Sequence, residues 1–141
     1  MSQAAVVFSL CLLALGDETP ADKDAKALQG VWQIETIAFK GKAHPEKVSP
    51  ESQFVFSGDK LTQKGGSKKE PTFTFKLAPE KRPKEIDLSH PELTEAMQGI
   101  YELDGNRLKI AYSIPPGAKR PTAFASKPGS MVFYFTLGRP K

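Results

Sequence analysis

The sequence predicts an all-β chain closed as a single antiparallel up-and-down barrel of about eight strands, on three observations. Short apolar runs with a period of two recur from Leu28 to the C-terminus. The 12 prolines and 11 glycines fall mostly between those runs, where turns are needed. The connections are short and carry no ten-residue helical pattern, whereas parallel pairs would need long crossovers. A length of 141 residues fits one domain, and 39% hydrophobic residues suffice for a packed core. A two-sheet sandwich is the alternative closure. No internal repeat is visible at solenoid or propeller spacing.

In chain order, Ala4–Gly16 (AAVVFSLCLLALG) is an uncharged apolar run of 13 residues. It is short for a bilayer-spanning helix but has the length of a signal-peptide core. Ala14 and Gly16 put small residues at the −3 and −1 positions of a cut before Asp17. The expectation is therefore a signal peptide over residues 1–16, cleavage after Gly16, and export to the periplasm, envelope or exterior, with no membrane span afterwards. Met-Ser-Gln ahead of the run lacks Lys and Arg, which keeps an uncleaved anchor or a buried strand as the alternative. Cys11 is the only cysteine, and bulky Leu10 before it argues against a lipid-attachment cut. Cleavage would leave no cysteine, so stability must come from packing. Residues 17–27 are charged and Ala/Pro-rich and read as a flexible linker with at most a short helical turn; the barrel domain is expected over 28–141.

The first strand is Val31–Gly41. Trp32 and Ile34 share one face while Ile37 and Phe39 fall on the other, so a bulge or bend is expected near Thr36. Gln53–Phe56 and Lys60–Lys64 flank a Ser-Gly-Asp turn, and Thr72–Leu77 alternates with Phe73, Phe75 and Leu77 on one side. Glu85–Ser89 follows a Pro-rich loop, and HPELTEAMQ allows a short helix. Ile100–Leu103 and Arg107–Ser113 form the strongest hairpin signal, around Asp104-Gly105-Asn106. After a long Pro/Gly loop, Met131–Gly138 closes the set with Met131, Phe133, Phe135 and Leu137 on one face.

From Leu28 to about Arg139 the stretches LQGVWQIETIAFKGK, FVFSGDKLT, KRPKEIDL, GIYELDGNRLKIAY, PPGAKRPTAF and KPGS resemble a small, uncharacterised, lipocalin-like domain family found in planctomycete proteins. The resemblance implies a barrel and brings no activity with it. More distantly, Gly30-x-Trp32 is similar to the opening motif of the lipocalin superfamily. There an arginine near the end of the last strand packs over the tryptophan and closes the barrel floor, which implies that role for Arg139. Physically, Gly30 allows close backbone approach, Trp32 can fill a wide barrel end, and a guanidinium stacked on it is worth about 0.5–2 kcal/mol.

Phe54, Phe56, Phe73, Phe75, Phe133 and Phe135 are expected to point inward with Tyr112, either lining an apolar ligand cavity or filling the core. In the KRPTAF loop, Arg120 can grip a carboxylate or phosphate, or pair with a nearby acid or carbonyls; Phe124 is expected to plug the barrel mouth. His44 and His90 stand alone before prolines and supply no metal site. Glu80, Glu85, Asp87, Glu92 and Glu95 read as solvated acids, with no pair poised for acid–base work. Ser130 lacks the context of a hydrolase nucleophile, and QKGGSKK misses phosphate-loop spacing. No catalytic residue, cofactor or metal is implied.

A net charge of +4 admits anionic partners, yet Lys60, Lys64, Lys68 and Lys69 lack the outward aromatics that nucleic-acid sheets use. Nucleic acid is not an expected partner. Two readings stand: a filled barrel with a structural or protein-interaction role at the envelope, and a carrier of a small hydrophobic or amphipathic ligand. An enzyme would need a clustered polar set inside the barrel, which the alternation does not provide.

Overall fold

The computed structural model describes residues 18–65 and 70–140. The run Ala4–Gly16 with Cys11, the cut after Gly16, and Lys68 and Lys69 lie outside them. Nine strands follow one helix: α1 (Pro20–Leu28), β1 (Gly30–Phe39), β2 (Lys42–Ala43), β3 (Gln53–Ser57), β4 (Lys60–Lys64), β5 (Thr72–Ala78), β6 (Lys84–Ser89), β7 (Met97–Asp104), β8 (Arg107–Ser113) and β9 (Val132–Gly138). Every pairing is antiparallel, and β1 pairs with β9 to close the ring. β2 is a two-residue flap on the end of β1, so eight strands make an up-and-down barrel. Closure gives each of the eight barrel strands a partner on both sides, and only the β2 flap keeps a free edge among the described residues.

β1 serves two neighbours. Gly30–Gln33 pair with β3, and Gln33–Phe39 pair with β9. The register against β9 jumps from Ile34↔Leu137 to Thr36↔Thr136, which makes Glu35 an extra residue. One extra residue shifts the alternation by one. Trp32, Ile34, Ile37 and Phe39 consequently share the inner side, opposite Phe133, Phe135 and Leu137. The phase change in the sequence is this bulge.

The stretch expected to be a linker carries instead the nine-residue helix α1. Thr19 and Asp22 form a capping box: the Asp22 N–H donates to Thr19 Oγ1 at 3.1 Å, and the Thr19 N–H donates to Asp22 Oδ2 at 3.2 Å. Pro20 occupies the first turn, where its missing N–H costs nothing, and alanines favour the helix. A helix this short needs tertiary support. Here it comes from Leu28, fully buried, and Ala25, which packs on the core.

Towards the α1 end and the middle the interior is packed with buried side chains. Leu28, Trp32, Leu61, Ile86, Leu88 and Ile110 are 0% exposed. Phe54, Phe56, Phe75 and Phe135 are buried, while Phe73 and Phe133 are half-buried. Gly99 lies opposite Tyr112; a Cβ there would sit 2.6 Å from the Ala111 carbonyl oxygen and 2.9 Å from Tyr112 Cβ, so glycine makes room for the tyrosine.

Two local expectations differ. HPELTEAMQ forms a turn, with the Leu93 N–H bonded to the His90 carbonyl, and Met97 and Gln98 already belong to β7. Extending the strand buries Met97 inside, which a short exposed helix would not. Met131 is 40% exposed and precedes β9, because the β8–β9 ladder ends at Ser113↔Val132.

Candidate ligand-binding site

The two ends of the barrel differ. At the α1 end, the Arg139 guanidinium carbon lies 3.9 Å from the Trp32 ring centroid. Its nitrogens donate to the carbonyls of Val31 (3.0 Å), Ala27 (2.8 Å) and Gln29 (2.9 Å). Trp32 Nε1 donates to the Leu28 carbonyl at 2.8 Å. These carbonyls belong to the last turn of α1 and the start of β1, which have no helical partners of their own, so a cation is well placed there. Partial burial lowers the Arg139 pKa. Gly30 has φ +104°, and a Cβ would come within 3.2 Å of Arg139 Nη1. Asp24 completes the seal: it accepts from the Tyr101 hydroxyl at 2.6 Å and pairs with Lys84 at 3.0 Å. Burial, and next the bond to Asp24, raise the Tyr101 pKa.

The opposite end is open. A cavity of about 580 Å³ lies there between β1, β3, β4 and β9. Its floor is Ile34, Ile37, Phe54, Phe133 and Phe135; its rim includes Glu46, Lys47, Ser49, Ser52 and Lys64. Phe54 and Phe135 meet at 4.9 Å, and Phe39 stacks on Phe133 at 4.1 Å. Gln63 projects into the same space from β4 and donates through Nε2 to the Tyr112 hydroxyl at 3.1 Å. Burial pushes the Tyr112 pKa up to about 12, against the opposing effect of that bond. Ser52 is buried and bonded within the 47–52 turn, to the Ser49 N–H and the Lys47 carbonyl. At the rim, Glu46 is held below the usual carboxylate range by its own backbone N–H and then by His44, 2.9 Å away.

Of the residues singled out in the sequence, Phe54, Phe133 and Phe135 line this cavity, and Tyr112 stands behind Gln63. Phe56 and Phe75 meet edge-on in the buried core, with ring centroids 5.3 Å apart. Phe73 faces His90, whose Nδ1 accepts the Glu92 N–H.

Arg120 and Phe124 are not at the mouth. Arg120 bonds Asp87 (2.8 Å), Gln98 (2.9 Å) and the Gly99 carbonyl (2.9 Å), and lies 3.5 Å from Glu85. Asp87 and Gln98 alternate with inward residues, so this is the outer wall. Phe124 borders a crevice with Lys84, Glu102 and Leu103, towards the α1 end. The 114–131 loop is thus an outer strap, drawn down by the acids of β6. Ile100 and Ala111 face outward yet are 1% and 0% exposed and stand apart from the core cluster; Ala111 pairs with Tyr134, on which Phe124 of the strap packs at 6.4 Å. Glu80, Glu92 and Glu95 are exposed, as are Lys60 and Lys64. Ser130 Oγ donates to the Lys127 carbonyl within a turn.

Gln63, Ile34, Ile37 and the Ser49–Ser52 turn were not legible as site residues. A signal existed for Gln63: it stands two positions after Leu61, and period two puts both inside. Among the described residues no group of three or more His, Cys, Asp or Glu is placed to hold a metal, and no helix is long and apolar enough to cross a membrane. Nothing in the fold points to enzymatic activity. Compared with protein-family models, curated proteins and solved structures, the chain matches none.

Proposed function

We propose that the chain is an exported, lipocalin-like barrel that holds a small hydrophobic or amphipathic molecule in the cavity at its open end. One observation carries this reading: the barrel is packed with fully buried side chains towards the α1 end, yet leaves about 580 Å³ over an aromatic floor at the other. That volume falls within the roughly 300–1,000 Å³ of ordinary ligand pockets. An apolar floor with a few polar groups at its edge suits an amphipathic guest. The competing reading, a wholly filled barrel with a structural or interaction role, has no use for this space. Export with cleavage after Gly16 belongs to the same proposal and would place the carrier at the envelope or outside the cell.

Filling the cavity tests it. Ile37→Trp puts an indole where the guest would lie. A fluorescence titration with 2-methylnaphthalene is expected to show binding to the wild type and a loss of about tenfold or more in the variant. Equal binding to both would place the probe elsewhere and overturn the proposal.

A further inference from the structure

Among the described residues, the polar side chains at inward strand positions are Gln63, Lys84, Tyr101 and Tyr112. Lys84 and Tyr101 are both committed to Asp24 at the closed end. Gln63 and Tyr112 remain, bonded to each other beside the open cavity. An amide facing an apolar interior is costly unless it is bonded. Gln63 gives one N–H to Tyr112; a primary amide has a second N–H and a carbonyl with two lone pairs. Tyr112 is 5% exposed and packed against Phe135 and Phe133, at centroid distances of 5.8 and 5.7 Å. It is therefore a firm anchor for the glutamine. Exposed Lys47 and Lys64 stand at the rim, where they would draw an anionic group away from this depth.

Phe133 and Phe135 belong to a run of rings stacked at small angles, from which Phe54 departs with a tilt of 55° to Phe135. Interplanar angles are 18° for Phe39–Phe133, 20° for Phe133–Phe135 and 20° for Tyr112–Phe135. Flat rings extend such a run better than flexible chains, by offset stacking.

Resting on the pocket reading, we propose that Gln63 is the residue that selects the guest, a flat aromatic molecule carrying a neutral hydrogen-bonding substituent, and that Tyr112 positions its amide.

The test is a matched pair of probes titrated against the full barrel: 2-naphthol, whose hydroxyl stays neutral near pH 7, and 2-methylnaphthalene, equal in size but unable to hydrogen-bond. The quantity read is the ratio of their affinities. Gln63→Leu should lower the naphthol preference by about fivefold while 2-methylnaphthalene binds as well or better. Tyr112→Phe should lower it by about twofold, since the amide remains but is no longer held. A ratio unchanged in both variants, with both probes binding, would overturn the role of Gln63 and leave the pocket standing. Failure of both probes to bind the wild type would overturn the pocket reading, and this inference with it.

Discussion

The Arg139 guanidinium sits 3.9 Å above the ring of Trp32, 107 positions earlier in the chain, and the indole N–H bonds back to Leu28 at the end of α1. The stack joins the first residue after β9 to the first strand and the helix, so it fastens the closure of the ring and the plug of its floor together. Trp32→Ala should cost about 3–5 kcal/mol, as for other buried aromatics. Arg139→Met keeps the chain's bulk but loses the three carbonyl bonds, and should cost about 2 kcal/mol. Urea denaturation of the two variants measures both; stability unchanged in either would mean the floor is not held this way.

Gly30 is constrained twice, by its φ of +104° and by Arg139 Nη1 3.2 Å from where a Cβ would stand. Gly30→Ala should cost about 1–3 kcal/mol through backbone strain. It should also displace Arg139, so a double variant with Arg139→Met should lose less than the two single costs combined. Additive costs would separate the two constraints.

The strap is pinned through Arg120, which reaches two acids, an amide and two backbone carbonyls. Arg120→Met should cost about 2–3 kcal/mol and free the loop without opening the barrel. Limited trypsin digestion is then expected to cut faster after Lys119 while the strand amides keep their hydrogen-exchange protection. Cleavage rates equal to wild type would show that the strap does not depend on this arginine.

Alkaline pH should unfold the barrel through its buried tyrosines. Tyr112 titrates near 10 when unfolded and at about 12 in the fold because of burial, and Tyr101 is raised as well. A raised pKa gives stability that is complete below pH 10 and is lost as pH climbs towards the folded value. Tyr112 should contribute a slope of about 1.4 kcal/mol per pH unit between pH 10 and 12, and Tyr101 acts in the same direction. Tyr112→Phe should flatten the pH dependence over that window. Parallel curves for wild type and variant would mean that Tyr112 ionises freely in the fold.

Much of this architecture is legible along the chain because alternation is a local property. The phase change in β1 betrays the bulge at Glu35, and the Gly105-Asn106 turn marks the β7–β8 hairpin. The capping box at Thr19 and Asp22, with Pro20 between them, is equally local, yet the charged Ala/Pro-rich stretch reads as a linker because what holds α1 is the docking of Leu28 and Ala25 on a distant core. Alternation says which side chains point inward; it does not say which end of the barrel they reach. That is why Phe56 and Phe133 look alike in sequence although one lies in the buried core and the other lines the cavity. The strap is illegible for a related reason: Arg120 finds its partners on β6 and β7, across at least 21 residues of sequence.

The central claim is that the open-end cavity takes a guest. Titrating isotopically labelled protein with 2-methylnaphthalene and following backbone and methyl NMR shifts tests it most directly. The account predicts saturable changes at Ile34, Ile37, Phe54, Gln63, Phe133 and Phe135, with Trp32 and α1 unmoved. No saturable change up to the probe's solubility limit, or changes centred on α1, would contradict it.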